Sequence, residues 1–379
     1  MLNNTGPKPT IVVYSYDDKD SACSIMRIIK PMLTSNWNVI WASKNDASGF
    51  SFNIEPAYQA DVILIHRLFP SKGTENILRS LMALNIPVIY DLDDLFLDVP
   101  SCDHPTYQKY APYIKWILKE ADMITVSTIP LKLSLGKYTN RPIYVQPNIV
   151  DFNLFASTPR ICDSTFNFLV SGSNTHQRDW AIIEEPIKEI LKKYQEKVSI
   201  VFFGDTPKRF VGHSSVKIID FQPNYKLYAA QLRALDVHAA LTPLEDTKYN
   251  QVKSNIKWLE YSAAGIPGAY SDLTPYSDCI NHEQNGLLVK NNPESWFNAI
   301  QRLLMDAENT ATIIKNAHRE VLERHSIENA LEKYTSTINS MIGRKHKTDV
   351  FSELPIAHYR LYNNILSLVD KHITWRFNI

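Results

Sequence analysis

Neither sign of charge is in excess in this chain: Lys plus Arg number 40, and Asp plus Glu number 40. A zero balance gives no long-range pull towards DNA, RNA or anionic lipid, so no nucleic-acid partner is expected, though a local basic patch is compatible with it. Cysteine is scarce as well. Cys23, Cys102, Cys162 and Cys279 stand far apart with no C-x-x-C pair. That spacing fits neither a zinc site nor a disulfide framework and reads as reduced, partly buried thiols. No run approaches the roughly 20 apolar residues of a membrane span. The opening MLNNTGPKPT lacks the basic and apolar regions of a signal peptide. A cytosolic protein is the default expectation, with peripheral contact at the inner face of a membrane as the alternative.

What is present is an ordinary globular composition, 44% hydrophobic and 21% charged over 379 residues, a length that suggests two domains. Short apolar runs and helical periodicity alternate. Strands are expected at 11–14, 37–41, 61–65, 87–90, 123–126 and 142–145, with helices at 22–33, 76–84 and 113–120 between them. A second series has strands at 166–170, 198–203, 216–219, 237–241 and 268–270. Its helices are expected at 180–194, 225–235, 255–264, 295–304 and, as one long helical region, 307–342. Such alternation predicts parallel sheets with helices on both faces, an α/β doubly wound architecture whose ligands sit at the carboxyl ends of the strands. The expected division is a first domain over 1–150, a linker over 151–165, a second domain over 166–342 and a helical extension over 343–379. The basic run 343–347 reads as a solvated turn.

The most informative stretch runs from Lys253 through Lys257, Glu260, Ala263, Ala264, Gly265 and Ile266 to Pro267, followed by Asn285-Gly286-Leu287-Leu288-Val289. It resembles the donor-binding signature of family 4 glycosyltransferases (glycosyl transferases group 1). These proteins carry a glutamate on a helix that ends in Gly, a branched residue and Pro, with a His-x-x-x-Gly-Leu-Leu-Val turn further on. Here His282 opens that turn. The loop from Gly172, Ser173 and Thr175 to His176, Arg178 and Asp179 resembles a subgroup linked to surface polysaccharide synthesis. The resemblance implies a GT-B fold: two Rossmann-like domains facing across a cleft, with a C-terminal helix crossing back to the first. It implies a retaining transferase that uses a nucleotide-diphosphate sugar and needs no metal or other cofactor.

Physical reasons accompany the pattern. A carboxylate such as Glu260 can accept hydrogen bonds from both hydroxyls of a ribose. Lys253 and Lys257, if on one helical face, can neutralise a diphosphate. A strand followed by a small-residue loop and a helix start, as at Gly172–Arg178, presents backbone N–H groups to phosphate. Gly204-Asp205 is either a loop near the nucleotide base or a plain turn. The sequence also departs from the family. Ser173 stands where relatives have an Arg, leaving His176 and Arg178 as the local charges, and Val252 stands where relatives have a first glutamate. Glu245 and Asp246 are the nearby carboxylates that could replace it.

In the first half, Tyr90-Asp91-Leu92-Asp93-Asp94 follows an expected strand. Three acids this close could hold a metal, but the motif is on the wrong side for the donor. By resemblance Asp93 and Asp94 occupy a His-Asp position that faces the transferring sugar, and they join Glu260 as catalytic candidates. Asp91 caps a helix, pairs with Arg67 or lines the acceptor side. Asp17, Arg67 and Asn148 are further acceptor-side candidates. The acceptor is expected to be a hydroxyl of a glycan, a lipid-linked glycan or a protein. Rivals are a nucleotide-sugar epimerase of the same fold and a silent GT-B protein that binds partners. A DNA-modifying glucosyltransferase is disfavoured by the zero charge. The stretch 357–369 reads as a helix that crosses back onto the first domain or touches a membrane or partner, with Trp375 and Phe377 beyond it.

Overall fold

The computed structural model describes residues 8–46, 49–99, 107–155, 165–346 and 375–377. The chain divides into two compact units, one comprising residues 1–19, 23–147 and 331–379, the other 20–22 and 148–330.

The first unit is built on a six-stranded parallel sheet: β1 (Thr10–Ser15), β2 (Asn38–Trp41), β5 (Val62–His66), β6 (Val88–Leu92), β7 (Met123–Val126) and β8 (Ile143–Val145), in the order β2-β1-β5-β6-β7-β8. β1, β5, β6 and β7 are buried almost throughout, as expected of strands covered on both faces. The expected first helix forms as Ala22–Ser24, a π-helical turn Ile25–Ile29 and Lys30–Leu33. A short hairpin, β3 (Ser43–Asp46) and β4 (Gly49–Phe52), was not expected, and neither was helix Ile129–Leu135. The strand order reverses between β1 and β5, and that is where doubly wound sheets open a crevice.

The second unit has β9 (Phe166–Gly172), β10 (Val198–Gly204), β11 (Val216–Asp220), β12 (Ala239–Thr242), β13 (Gly268–Ser271) and β14 (Leu287–Val289), all parallel, in the order β11-β10-β9-β12-β13-β14. Counted within the unit this is 3-2-1-4-5-6, the dinucleotide-binding order, with its switch point between β9 and β12. Phe168, Val170, Trp180, Ile187, Phe202 and Trp296 fill the core beneath it, each large side chain worth about 1.5–3 kcal/mol of burial.

Three expected boundaries are corrected. The helix expected over 180–194 is two, Gln177–Ala181 and Glu184–Tyr194. Pro186 has no N–H to give Ile182 and would clash with its carbonyl, so the chain turns before the proline. The long region 307–342 is also two helices, Ala307–His325 and Ile327–Asn339, separated where Ser326 bridges Val150. Nor does the second unit extend to 342. From Leu331 the chain belongs to the first unit, where Ile338 and Met341 join Ile11, Val13 and Leu64 in one core and Trp37 Nε1 donates to Asn339 Oδ1 at 3.0 Å.

Helix Phe152–Phe155 forms inside the expected linker. The helix expected over 357–369 lies outside the described residues. Trp375–Phe377 forms a strand that pairs antiparallel with β4. Among the described residues no helix is long and apolar enough to cross a membrane.

Candidate functional site

In the second unit, the carboxyl ends of β9 and β10 come together backbone to backbone. Gly204 adopts φ +118°, and its neighbour Asp205 donates its N–H to the Gly172 carbonyl at 3.0 Å. A Cβ on Gly172 would stand 2.7 Å from the His176 ring and 3.1 Å from Trp180. Both glycines are therefore demanded by close approach, and the loop after β9 is drawn down over the strand ends. Beyond Gly172, Ser173 Oγ bonds Thr175 Oγ1 at 2.9 Å.

Asp179 fixes this loop. It is buried, its Oδ2 pairs with His176 Nδ1 at 2.7 Å, and its Oδ1 accepts from the Glu245 N–H at 2.7 Å and Asn250 Nδ2 at 3.2 Å. One carboxylate thus joins the loop after β9, the loop after β12 and helix Lys248–Gln251. Burial lowers the pKa of His176, with Lys253 and Lys257 adding to that and Asp179 opposing it. Arg178 is half-exposed and ion-paired to Glu245. The two charges that the sequence offered in this loop are therefore reassigned: His176 is held towards its neutral form, and Arg178 anchors the opposite loop. Glu245 is engaged by that pair, and Asp246 accepts from Gln251 Nε2 at 2.6 Å. Val252 is buried.

Positive charge comes instead from Lys253 and Lys257, although not from one helical face as expected. Helix Ile256–Ala263 starts after Lys253, which sits in the preceding turn with its Nζ 4.7 Å from the centre of the Tyr249 ring. Lys257 Nζ donates to Ser171 Oγ at 2.7 Å, and Ser171 Oγ also bonds Tyr261 Oη at 2.6 Å. Among the described residues neither lysine has a carboxylate within ion-pair distance. Burial lowers the pKa of Lys257, with Glu260 opposing and Lys253 reinforcing the fall.

Glu260 is 5% exposed on the same helix. Tyr228 Oη donates to its Oε2 at 3.0 Å, and the Tyr225 hydroxyl also bonds the carboxylate. Burial raises its pKa; Lys257 and the tyrosines pull against that. The Asn-Gly-Leu-Leu-Val segment steadies this helix from below. Trp258 Nε1 donates to the Asn285 carbonyl at 3.0 Å, and Asn285 Nδ2 donates to Glu320 Oε2 at 2.6 Å. His282 Nδ1 takes the Leu288 N–H at 3.0 Å. That turn is a clamp on the helix that carries Lys257 and Glu260. Near the strand ends, Thr206 Oγ1 and Thr242 Oγ1 are buried with no hydrogen-bond partner among the described residues. Asn148 is buried and donates from Nδ2 to Ser254 Oγ at 2.8 Å, beside Lys253.

In the first unit the acidic motif separates into two parts. Asp91 takes a bidentate pair from Arg27, Nε to Oδ2 at 2.7 Å and Nη2 to Oδ1 at 2.5 Å, and accepts from Thr125 Oγ1 at 2.6 Å. Both members are buried. The Asp91 carboxylate is therefore neither a helix cap nor an ion-pair partner of Arg67, and its burial against Arg27 argues against an acceptor-side role. Asp93 and Asp94 do face Arg67, at 3.0 and 3.6 Å, and Asp17 joins them at 3.2 Å. Burial opposes ionisation of Asp93, but the Arg67 guanidinium outweighs it and holds the carboxyl below the usual range. Arg67 has φ +50°, held by its N–H on the Asp91 carbonyl at 2.9 Å and by Tyr90 Oη on its own carbonyl at 2.9 Å. Such backbone strain costs about 1–3 kcal/mol and concentrates at functional sites. Beneath it, buried His66 bonds Ser15 Oγ through Nδ1 at 3.0 Å. Among the described residues no group of three or more His, Cys, Asp or Glu side chains is arranged to hold a metal ion.

Sequence reasoning gave no role to Ser171, Asp179, Tyr228, Asn250 or Arg27. Asp179 lay within the recognised loop and Ser171 on the strand just before it; Tyr228, Asn250 and Arg27 are brought in by folding alone.

The description "Glycosyl transferases group 1" is that of the family whose sequence model matches residues 160–306. The structure of sucrose-phosphate synthase from Thermosynechococcus elongatus superposes with a TM-score of 0.64 at 14% identity, over 88% of this chain and 99% of that one. HepE from Anabaena, in complex with UDP and glucose, gives 0.64 at 14%, over 88% and 100%. TarM from S. aureus gives 0.57 at 16%, over 74% and 56%. No match is found among curated proteins. The two doubly wound units thus have the GT-B fold, and residues 160–306 of the second are similar to the group 1 glycosyl transferases. The protein is a glycosyltransferase.

Proposed function

We propose that this transferase takes its sugar from a nucleoside-diphosphate donor held in the second unit. Glu260 accepts the ribose hydroxyls. Lys253 and Lys257, with the backbone at Gly172–Ser173, hold the diphosphate. The observation that carries this reading is two lysines with no carboxylate within ion-pair distance among the described residues, near a buried glutamate, with Lys257 bonded to the end of β9 at the switch point of a 3-2-1-4-5-6 sheet. Anion recognition by paired cations and a ribose diol on a carboxylate are the two requirements of a nucleoside diphosphate. HepE was crystallised with UDP and glucose, which makes UDP the first nucleotide to try.

The transfer goes to a hydroxyl of a glycan, lipid-linked glycan or protein, with retention at the anomeric carbon and without a metal. Lys253 and Lys257 stabilise charge developing on the leaving diphosphate, an electrostatic contribution made in the transition state. Asp17, Arg67, Asp93 and Asp94 serve the acceptor side.

The deciding experiment is thermal denaturation of the whole chain with UDP, GDP, dTDP and their sugars. The matching nucleotide stabilises by about 2.7 kcal/mol at one hundred times its Kd. Glu260→Gln removes most of that gain. If no nucleoside diphosphate stabilises the protein, the donor reading fails. NMR of the product anomer and assays with and without EDTA test retention and metal independence.

A further inference from the structure

The chain is neutral overall, but one segment of the first unit is not. Between Tyr107 and Gln146 the basic residues are Lys109, Lys115, Lys119, Lys132, Lys137 and Arg141, and the only carboxylates are Glu120 and Asp122. All five lysines are exposed. Both acids are turned inward. Glu120 is 8% exposed, and Asp122 Oδ2 is taken by His346 Nδ1 at 2.6 Å and the Val88 N–H at 2.9 Å. Folding brings the cations together. Arg141 Nε donates to the Lys119 carbonyl at 2.7 Å, Thr139 Oγ1 to the Leu118 carbonyl, and Lys115 Nζ lies 5.5 Å from the centre of the Tyr138 ring. The segment before β8 is thereby laid along the end of helix Ala111–Glu120.

The neighbouring helix, Ile129–Leu135, has two faces. Leu131 and Leu135 are buried, while Ile129 and Leu133, one turn apart, are 64% and 68% exposed with Lys132 between them. Tyr144 on edge strand β8 is 44% exposed. Isolated apolar residues at a surface need no explanation, but an exposed aliphatic pair with Lys132 between them, in a segment with five exposed lysines and both of its carboxylates turned inward, matches an interfacial membrane contact. Protein interfaces favour aromatic residues and Arg and are depleted in Lys. Here the cations are mostly Lys and the exposed apolar pair is aliphatic, which selects lipid over an acidic protein. Lysine stems can lie along the apolar boundary while their ammonium groups reach lipid phosphates.

We propose that this face docks the protein on an anionic membrane surface, with Ile129 and Leu133 entering the headgroup boundary and the lysines binding anionic lipid. The proposal stands independently of the donor reading. Co-sedimentation of the full chain with phosphatidylcholine vesicles, with and without phosphatidylglycerol, tests it. Binding is expected with the anionic vesicles, little with the neutral ones, and a marked loss as salt rises. A Lys132→Glu, Lys137→Glu pair loses at least tenfold in vesicle affinity, since each basic side chain near such a surface contributes roughly fivefold. The Ile129→Ser, Leu133→Ser pair also loses affinity, but without changing the salt dependence. Unchanged thermal midpoints show that the variants are folded. No binding to anionic vesicles, or variants that sediment like the parent, overturns the proposal. So does a concentration-dependent dimer that the same substitutions abolish.

Discussion

A Cβ on Gly204 would stand 2.0 Å from the carbonyl oxygen of Gly172, where β9 and β10 end side by side. Gly204 also has φ +118°, outside the range side chains adopt readily. Gly204→Ala therefore combines backbone strain with overpacking and is expected to destabilise the second unit by roughly 2–4 kcal/mol. Gly212 is the control. Its φ is +81° and an added Cβ would meet nothing within 4 Å, so Gly212→Ala carries only the backbone term, about 1–2 kcal/mol. Urea denaturation of both variants separates the two contributions; equal midpoints would mean that the close approach is not rigid.

Lys257 predicts an alkaline limit for the proposed donor site. Its folded pKa lies below that of free lysine because of burial. The charged form binds a diphosphate, so affinity is present at neutral pH and falls as pH rises through the depressed value, earlier than the ordinary value of about 10.4 predicts. A charge-assisted hydrogen bond is worth about 1.5–3 kcal/mol, so the full loss is roughly ten- to hundredfold in Kd. Calorimetric titration of UDP between pH 7 and 10 reads it. Lys257→Arg should flatten the fall, and Lys257→Met should be weak throughout. A parent profile indistinguishable from that of Lys257→Arg would remove Lys257 from the site.

Most of the framework could be read from the chain, because buried parallel strands are near-continuous apolar runs and their helices repeat at 3.6 residues. The missed features are local backbone events. The break before Pro186 sits inside a periodic stretch, and Ser326 interrupts a helix through a pairing with Val150 that no local pattern announces. In the proposed site, Glu260, Lys253 and Lys257 are candidates that the sequence offers together because they lie in one contiguous motif. The reassignment of Arg178 to Glu245 could not, since those residues are distant in sequence and meet only after Asp179 has drawn the two loops together. Likewise Asp91 and Asp93 are two residues apart in the chain yet have different cations, Arg27 and Arg67.

The Arg67 cluster predicts a pH-dependent penalty. Asp93 has a folded pKa below the usual carboxylate value, so it contributes stability above its unfolded pKa of about 3.9, lost as pH falls through the folded value. Arg67→Met leaves Asp93 buried without that cation, so burial raises its pKa and the carboxyl prefers to be neutral. The variant should be about 2–4 kcal/mol less stable at pH 7. The gap should narrow as pH falls towards 4.5, where the stranded carboxyl is protonated. Urea midpoints at the two pH values check the sign. A gap that widens on acidification would contradict the pairing.

Arg27 and Asp91 make the opposite kind of prediction, a structural one with no direct effect on donor chemistry. Burial opposes the charge on Arg27, and Asp91 more than offsets it, raising the guanidinium pKa. Arg27 Nη1 also donates to the Gln146 carbonyl at 3.0 Å, so the pair joins the first helix, β6 and the chain just past β8. Truncating one member strands the other in an apolar interior, at a cost of about 3–5 kcal/mol. Asp91→Ala should therefore lower the denaturation midpoint of the first unit sharply. Asp91→Asn, which keeps an acceptor for Arg27 but loses the charge, should cost less. Under conditions where either variant is folded, UDP affinity should equal that of the parent, because every proposed donor contact is in the second unit. Equal stability with a changed UDP affinity would place Asp91 in the site after all.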